Sequence, residues 1–252
     1  DLADHLAARA DHFADLVRVD LHRQQARRVI GQFRTRRVQA LGHLAEDVHP
    51  AVLRLGEGTD GQKIKANLDA IRTLRLVQKE GRFPTNEEQR VMARYVGWGG
   101  LKTVFDPNKK DATDLYGKAQ RELRELLNLK EYRAANGSIR NAHYTAQGIV
   151  QGMWRVARHM GFKGGRVLEP TVGIGNFIGL QPKDMAASSE WHASELDTVT
   201  GEMAALLYPE ANVLASTGFQ DAPFADDAFD LVIGNPPFGQ QTIDDKNPNR
   251  KH

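Results

Sequence analysis

Cysteine is absent from all 252 residues. That excludes a disulfide framework and any cysteine-ligated zinc site. It also excludes reactions that run through a cysteine nucleophile, methylation of cytosine carbon-5 among them. An excess of one charge is nearly lacking too. The 34 Lys and Arg stand against 32 Asp and Glu, leaving a formal net charge of +2. The chain as a whole is therefore not a polycation. No apolar run approaches the ~20 residues of a membrane span, and no signal-peptide pattern opens the chain. A soluble, cytoplasmic protein with no membrane partner is expected. The sequence opens at Asp1 and closes on the polar run Asp244–His252, which reads as a piece of something larger.

Proline and glycine are scarce at the start. Residues 2–48 hold no proline and only Gly31 and Gly42, and their Ala and Arg favour helix. Within this stretch Arg18, Arg23, Arg27, Arg28, Arg34, Arg36 and Arg37 face a single acid, Asp20. Such a helix is either a solvated face or an arm that lies along phosphates. The pattern divides the chain into a basic helical arm (1–55), a helical lead-in (56–135) and an α/β layer (136–252). In the lead-in, Gly56–Gly61 is expected as a loop. A helix is expected over Lys63–Lys79, with Ile64, Leu68, Ile71 and Arg75 on one face and Gly81 ending it. Thr85 and Glu88 form a capping box for the next helix. Tyr95-Val-Gly-Trp-Gly-Gly-Leu101 suggests close packing around a Trp or a tight turn, with packing the favoured reading. A single amphipathic helix is expected over Leu115–Leu129.

From about Asn136 the texture changes. The spacing predicts a helix over Thr145–Met160 and strands at Arg166–Leu168 and Trp191–Ser194. A helix over Val199–Leu207 and strands at Val213–Ala215 and Phe229–Ile233 follow. This alternation argues for an α/β fold with a parallel sheet, whose ligands sit at the carboxyl ends of the strands. The unusual residues fall at those ends. After the first strand comes Glu169-Pro-Thr-Val-Gly-Ile-Gly-Asn-Phe177, where Gly173 and Gly175 admit close backbone approach to a ligand. With Gly179 the spacing also imitates a dinucleotide fingerprint, so NAD(P) is a competing ligand. Against it, the Glu169 carboxylate would repel a pyrophosphate and tolerate a cation. After the second strand, Glu195 is placed to accept ribose hydroxyls and Asp197 to cap a helix. After the third, Phe219, Gln220 and Asp221 are candidates for a purine ring. After the fourth come Asn235-Pro-Pro-Phe238: an amide, carbonyls held out of helix by proline, and an aromatic face.

These motifs resemble the gamma-type N6-adenine DNA methyltransferases. Asn141-Ala-His-Tyr-Thr145 is similar to the family's cofactor motif before the first strand, Glu169–Phe177 to its Gly-rich motif, Glu195 to its ribose position and Asn235–Phe238 to its catalytic motif. The order along the chain is the gamma order, over about the last 110 residues. Ala146 stands where the family has proline, and the usual acid of the third strand is displaced or replaced. The upstream Thr85-Asn-Glu-Glu-Gln, Gly97-Trp-Gly-Gly-Leu101 and Leu115-Tyr-Gly-Lys118 resemble the lead-in to the methylase module of large methylase–helicase proteins of phages and mobile elements. These include antirestriction proteins packaged in virions.

The resemblance implies a Rossmann-like class I methyltransferase sheet with a helical region before it, and S-adenosyl-L-methionine as cofactor. Cofactor contacts are implied for His143, Tyr144, Thr145, Glu169, Pro170, Gly173, Gly175, Asn176 and Phe177, and for Glu195, Leu196, Phe219, Gln220 and Asp221. No metal is implied. Catalysis is implied for Asn235, Pro236, Pro237 and Phe238, acting on an adenine flipped out of DNA. DNA is the implied partner, together with either a helicase module in the same full-length chain or other subunits of a larger assembly. Methylation of RNA bases or of protein glutamine uses similar motifs, and a catalytically idle DNA-binding or scaffold module is the reading from a different class.

Overall fold

A computed structural model describes residues 58–139 and 144–236. Thr59 opens the first helix, α1 (Asp60–Glu80), through a reciprocal capping box with Gln62. The cap draws Asp60 and Gly61, two residues of the expected loop, into the helix. Gly81 ends α1 in the left-handed conformation at φ 61°, its N–H donating back to Gln78 and Val77 carbonyls. Thr85 and Glu88 form the expected capping box at the start of α2 (Asn86–Met92). Glu88 is also gripped by both terminal nitrogens of Arg82 at 2.6 Å. That two-pronged pair, with the Thr85 N–H, pulls the Glu88 carboxyl down to about 2. Two short 3-10 turns follow, at Lys102–Phe105 and Pro107–Lys109.

The single helix expected over Leu115–Leu129 is two. α3 (Leu115–Leu126) stops, and Asn128 caps α4 (Leu129–Ser138) by a capping box with Glu131. A run of helix-favouring residues hid the break, although Asn128-x-x-Glu131 is itself an N-terminal signature. Replacing Asn128 with Ala should cost about 1 kcal/mol, the usual worth of such a cap. A lowered urea midpoint with unchanged slope is the expected result. Arg75, expected on the apolar face of α1, instead holds the buried Glu131 at 2.6 Å.

These helices close around Trp98, which is fully buried with Ile71, Leu74, Met92, Val104 and Leu123. Asn67 ties the Trp98 loop to α1. Its amide donates to the Gly97 carbonyl at 2.6 Å and accepts from the Val96 N–H at 2.9 Å. Both partners are main chain, so the buried amide is satisfied at two positions.

The rest of the described chain alternates as expected. α5 (Gln147–His159) leads to β1 (Gly165–Glu169), two short helices α6 (Asn176–Gly179) and α7 (Lys183–Ala186), and β2 (Ser189–Glu195). Then come α8 (Thr198–Leu207), β3 (Asn212–Ala215), a 3-10 turn at Phe219–Asp221 and β4 (Leu231–Val232). The sheet has the order β3-β2-β1-β4 with every pair parallel. This is the Rossmann-like order, in which the chain steps outward from β1 and then returns to its other side. The protein is thus α/β, with α-helices preceding the sheet. β4 is shorter than the Phe229–Ile233 strand expected. Pairing to β1 still continues on both sides, by Asp230 N–H to the Arg166 carbonyl and Ile233 N–H to the Leu168 carbonyl.

Val167, Trp191, Ala193 and Ile233 line one sheet face and bury Trp154 of α5. Trp154 and Trp191 meet edge to face at 5.9 Å. α8 bridges the two parts. Its Ala204 joins the sheet core, while Val199 and Met203 join the cluster around Trp98. Among the described residues, no helix is long and apolar enough to cross a membrane.

Candidate functional site at the carboxyl ends of the strands

The sheet delivers four segments to one edge. β1 ends at Glu169 and β2 at Glu195, in adjacent parallel strands. β3 ends at Ala215 beside Glu195, and β4 leads through Gly234, which lies against Glu169, to Asn235 and Pro236. The exit of β1 is stitched to β2 by Ser194, whose hydroxyl donates to the Pro170 carbonyl at 2.8 Å and whose carbonyl accepts the Val172 N–H at 3.0 Å.

The turn after β1 is shaped by its two glycines. Gly173 and Gly175 have φ of 56° and 83°, a region that costs other residues. Each also lies under an aromatic ring. A Cβ on Gly173 would stand 2.8 Å from Tyr144, and one on Gly175 2.3 Å from Tyr208. Between them Ile174 turns the other way and is buried among the lead-in helices, in the cluster of Trp98, Val199 and Met203. The turn is therefore held from beneath by the lead-in. Tyr95, from the segment expected only to pack, meets Tyr144 edge to face at 6.2 Å. Burial, with Asp197 and Glu195 close by, pushes its hydroxyl far up. Tyr95, Ile174 and Tyr208 are site-forming residues that sequence reasoning missed. An aromatic ring packed over a glycine leaves no periodic signal.

The electrostatics are one-sided. Glu169 is 2% exposed and its Oε2 has no hydrogen-bond partner. Burial, then the Glu195 carboxylate, push its carboxyl well above the ordinary range. Glu195 is treated differently. Burial raises it, but the N–H groups of Asp197 (2.9 Å) and Gly173 (2.8 Å) oppose that by bonding its ionised form. Asp197 caps α8 as expected, accepting from the Thr200 N–H and hydroxyl at 2.8 and 2.7 Å.

The remaining residues named from the sequence are distributed as follows. Tyr144 lines the turn, and Thr145 begins the approach to α5. Asn176 is buried at the start of α6. Phe177 sits in the core under α5, its carbonyl accepting the Trp154 indole N–H at 3.1 Å. Leu196 is 70% and Phe219 39% exposed. Gln220 donates to Asp221 at 3.3 Å. At the end of β3, Ser216 takes a left-handed φ of 55° and its hydroxyl meets that of Thr198 at 2.5 Å. Asn235 and Pro236 are exposed at the end of β4. His143, Pro237, Phe238 and the arginines from Arg18 to Arg37 lie outside the described residues.

These residues fit a nucleoside bearing a positive charge. A close-approach turn, a half-buried carboxylate at the second strand and an orphaned buried carboxyl at the first are aligned along one edge.

No protein-family model matches the chain. It is similar to the Defense against restriction protein B of Escherichia phage P1, 28% identical over 185 residues. The match takes in 73% of this chain, which spans about 6% of that relative's length. Among solved structures it is similar to the type I restriction-modification methyltransferase subunit of Streptococcus thermophilus, at TM-score 0.33 and 14% identity, over 68% of this chain and 44% of that one. It is also similar to a putative class I S-adenosylmethionine-dependent methyltransferase of Listeria monocytogenes, at TM-score 0.36 and 16% identity, over 71% and 60%.

Proposed function

We propose that the chain is the cofactor-binding and catalytic part of an S-adenosylmethionine-dependent methyltransferase that acts on the N6 amine of adenine in DNA. The observation that supports this most is the convergence at one sheet edge of the Gly173–Gly175 turn, Glu169, Glu195 and the exposed Asn235–Pro236. In this reading the turn, Glu169 and Glu195 hold the cofactor, with Tyr144 as one wall. When bound, S-adenosylmethionine supplies an electrophilic methyl group on a sulfonium. Asn235 Oδ1 and the Pro236 carbonyl accept the two N–H bonds of the adenine amine. That withdraws its lone pair from the ring and aims it. Phe238 offers a face for the flipped base. The lead-in helices keep the turn in place and shield it from water.

The test is transfer of labelled methyl groups from S-adenosylmethionine by the full-length protein. Unmethylated DNA, RNA and a glutamine-containing peptide are offered in parallel. Label in DNA recovered as N6-methyladenine is expected. Label in RNA or peptide alone would replace the substrate, and binding without transfer to any would leave an idle module. The likeness to a phage protein named for defence against restriction supports a mobile-element setting.

We also assign the arginines between Arg18 and Arg37 to sequence-independent contact with the DNA backbone, on their seven-to-one excess over acid. Replacing Arg27, Arg28, Arg36 and Arg37 with Gln should weaken DNA binding. It should also flatten the salt dependence by about 0.9 in log–log slope for each phosphate no longer neutralised. An unchanged slope would return the segment to a packing or solvated role.

A further inference from the structure

We propose that Glu169 lets this site distinguish the cationic methyl donor from its uncharged-sulfur product, by giving up a proton when the cation enters. The inference rests on the S-adenosylmethionine reading above and deepens it.

Glu169 is placed to sense charge and little else. It ends β1, is 2% exposed, and leaves Oε2 without a partner. The β4 backbone lies against it, since a Cβ on Gly234 would stand 3.5 Å from its Cγ. That close neighbour has no side chain, and the next residue, Asn235, is uncharged. Among the described residues, the charged and titratable groups that face it are the Glu195 carboxylate from β2 and the Tyr208 phenol after α8. Neither is a cation. A buried carboxyl beside a second carboxylate, with no counter-charge among the described residues, is pushed well above its ordinary range, which favours its protonated form. Burial pushes Glu195 up as well, but two main-chain N–H groups bond its ionised form, a support that Glu169 Oε2 lacks.

A sulfonium entering this edge supplies the missing counter-charge. Glu169 then ionises and its proton passes to solvent. The demethylated product has a neutral thioether in the same place. It leaves Glu169 protonated, so the reaction itself removes the attraction that held the donor. Donor affinity should rise with pH, by up to about tenfold per unit, until the proton is already lost from the empty site. Product affinity should stay flat.

The experiment is titration calorimetry of the 252-residue chain with S-adenosylmethionine and with S-adenosylhomocysteine. It is run at one pH in phosphate and in Tris, whose ionisation heats differ. The buffer difference counts protons. Release of close to one proton with the donor and none with the product is expected. Glu169→Gln should keep its affinity for the product, release no proton, and lose at least about tenfold of its preference for the donor. Equal proton release with both ligands overturns the inference, since the shared ammonium would then be the charge that is sensed. So does a Glu169→Gln protein with the parent preference. Should that variant fail to fold, the two-buffer comparison on the parent chain decides alone. Binding of NADPH in place of both ligands overturns the cofactor reading itself, a result distinct from either.

Discussion

Asn235→Ala should lower the rate of methyl transfer by about 10²–10³-fold while leaving cofactor affinity close to the parent value. The loss is on the scale of removing one preorganised hydrogen bond to a reacting group. Asn235 is exposed at the end of β4, so no core contact goes with it. An adenine amine left with one acceptor keeps its lone pair in the ring, and the defect falls on the transfer step. Single-turnover kinetics with the full-length protein separate that step from binding. Phe238→Ala should act elsewhere, weakening capture of the flipped base by about 1–3 kcal/mol. An Asn235→Ala protein that transfers at the parent rate would remove the whole Asn235–Phe238 motif from the mechanism.

Gly175→Ala should be the most damaging single methyl group that can be added to the site. The backbone there has a φ of 83°, and the new Cβ would lie 2.3 Å from Cε2 of Tyr208. The strain of a left-handed non-glycine residue and the overpacking together cost roughly 2–4 kcal/mol. That is a large share of the stability of an ordinary domain. Thermal denaturation should show it directly, and cofactor binding should fall with it because the turn must shift. The pairing with Tyr208 makes the cause testable. In the Tyr208→Leu background the ring is gone and only the φ cost remains, so the added penalty of Gly175→Ala should fall to about 1–2 kcal/mol. A penalty as large in that background would place the damage in the backbone alone.

Much of this was legible in the sequence, and the reasons are physical. A parallel sheet buries both its strands and their flanking helices. Its apolar runs are therefore short and bounded, and the four strands fell within a few residues of their observed ends. Strand ends are where the backbone must stop pairing, so the odd residues Glu169, Gly173, Glu195 and Asn235 could be placed there from the sequence. Caps were readable where side chain and main chain exchange bonds at fixed spacing, as at Thr85 and Glu88. The break at Asn128 was equally encoded but lay inside a long helix-favouring run. What could not be read were contacts between segments distant in sequence. Tyr144 over Gly173, Tyr208 over Gly175 and Tyr95 against Tyr144 depend on three-dimensional approach alone. The two unequal carboxyls also needed the structure. Only there is it visible that Glu195 has N–H partners and that Glu169 Oε2 has none.

Ile174 lies between the two glycines of the turn and belongs to the cluster that surrounds Trp98. A gene fusion or truncation that began the α/β layer at residue 136 would cut through that cluster. Ile174, Val199 and Met203 would then face water beside the Gly173–Gly175 turn, an apolar patch of the kind that drives self-association. Recombination among related modules is constrained in the same way. A crossover in the composition shift near Asn136, where the sequence looks most divisible, separates the turn from its own foundation. Viable exchanges would carry the helices before that point together with the turn they support.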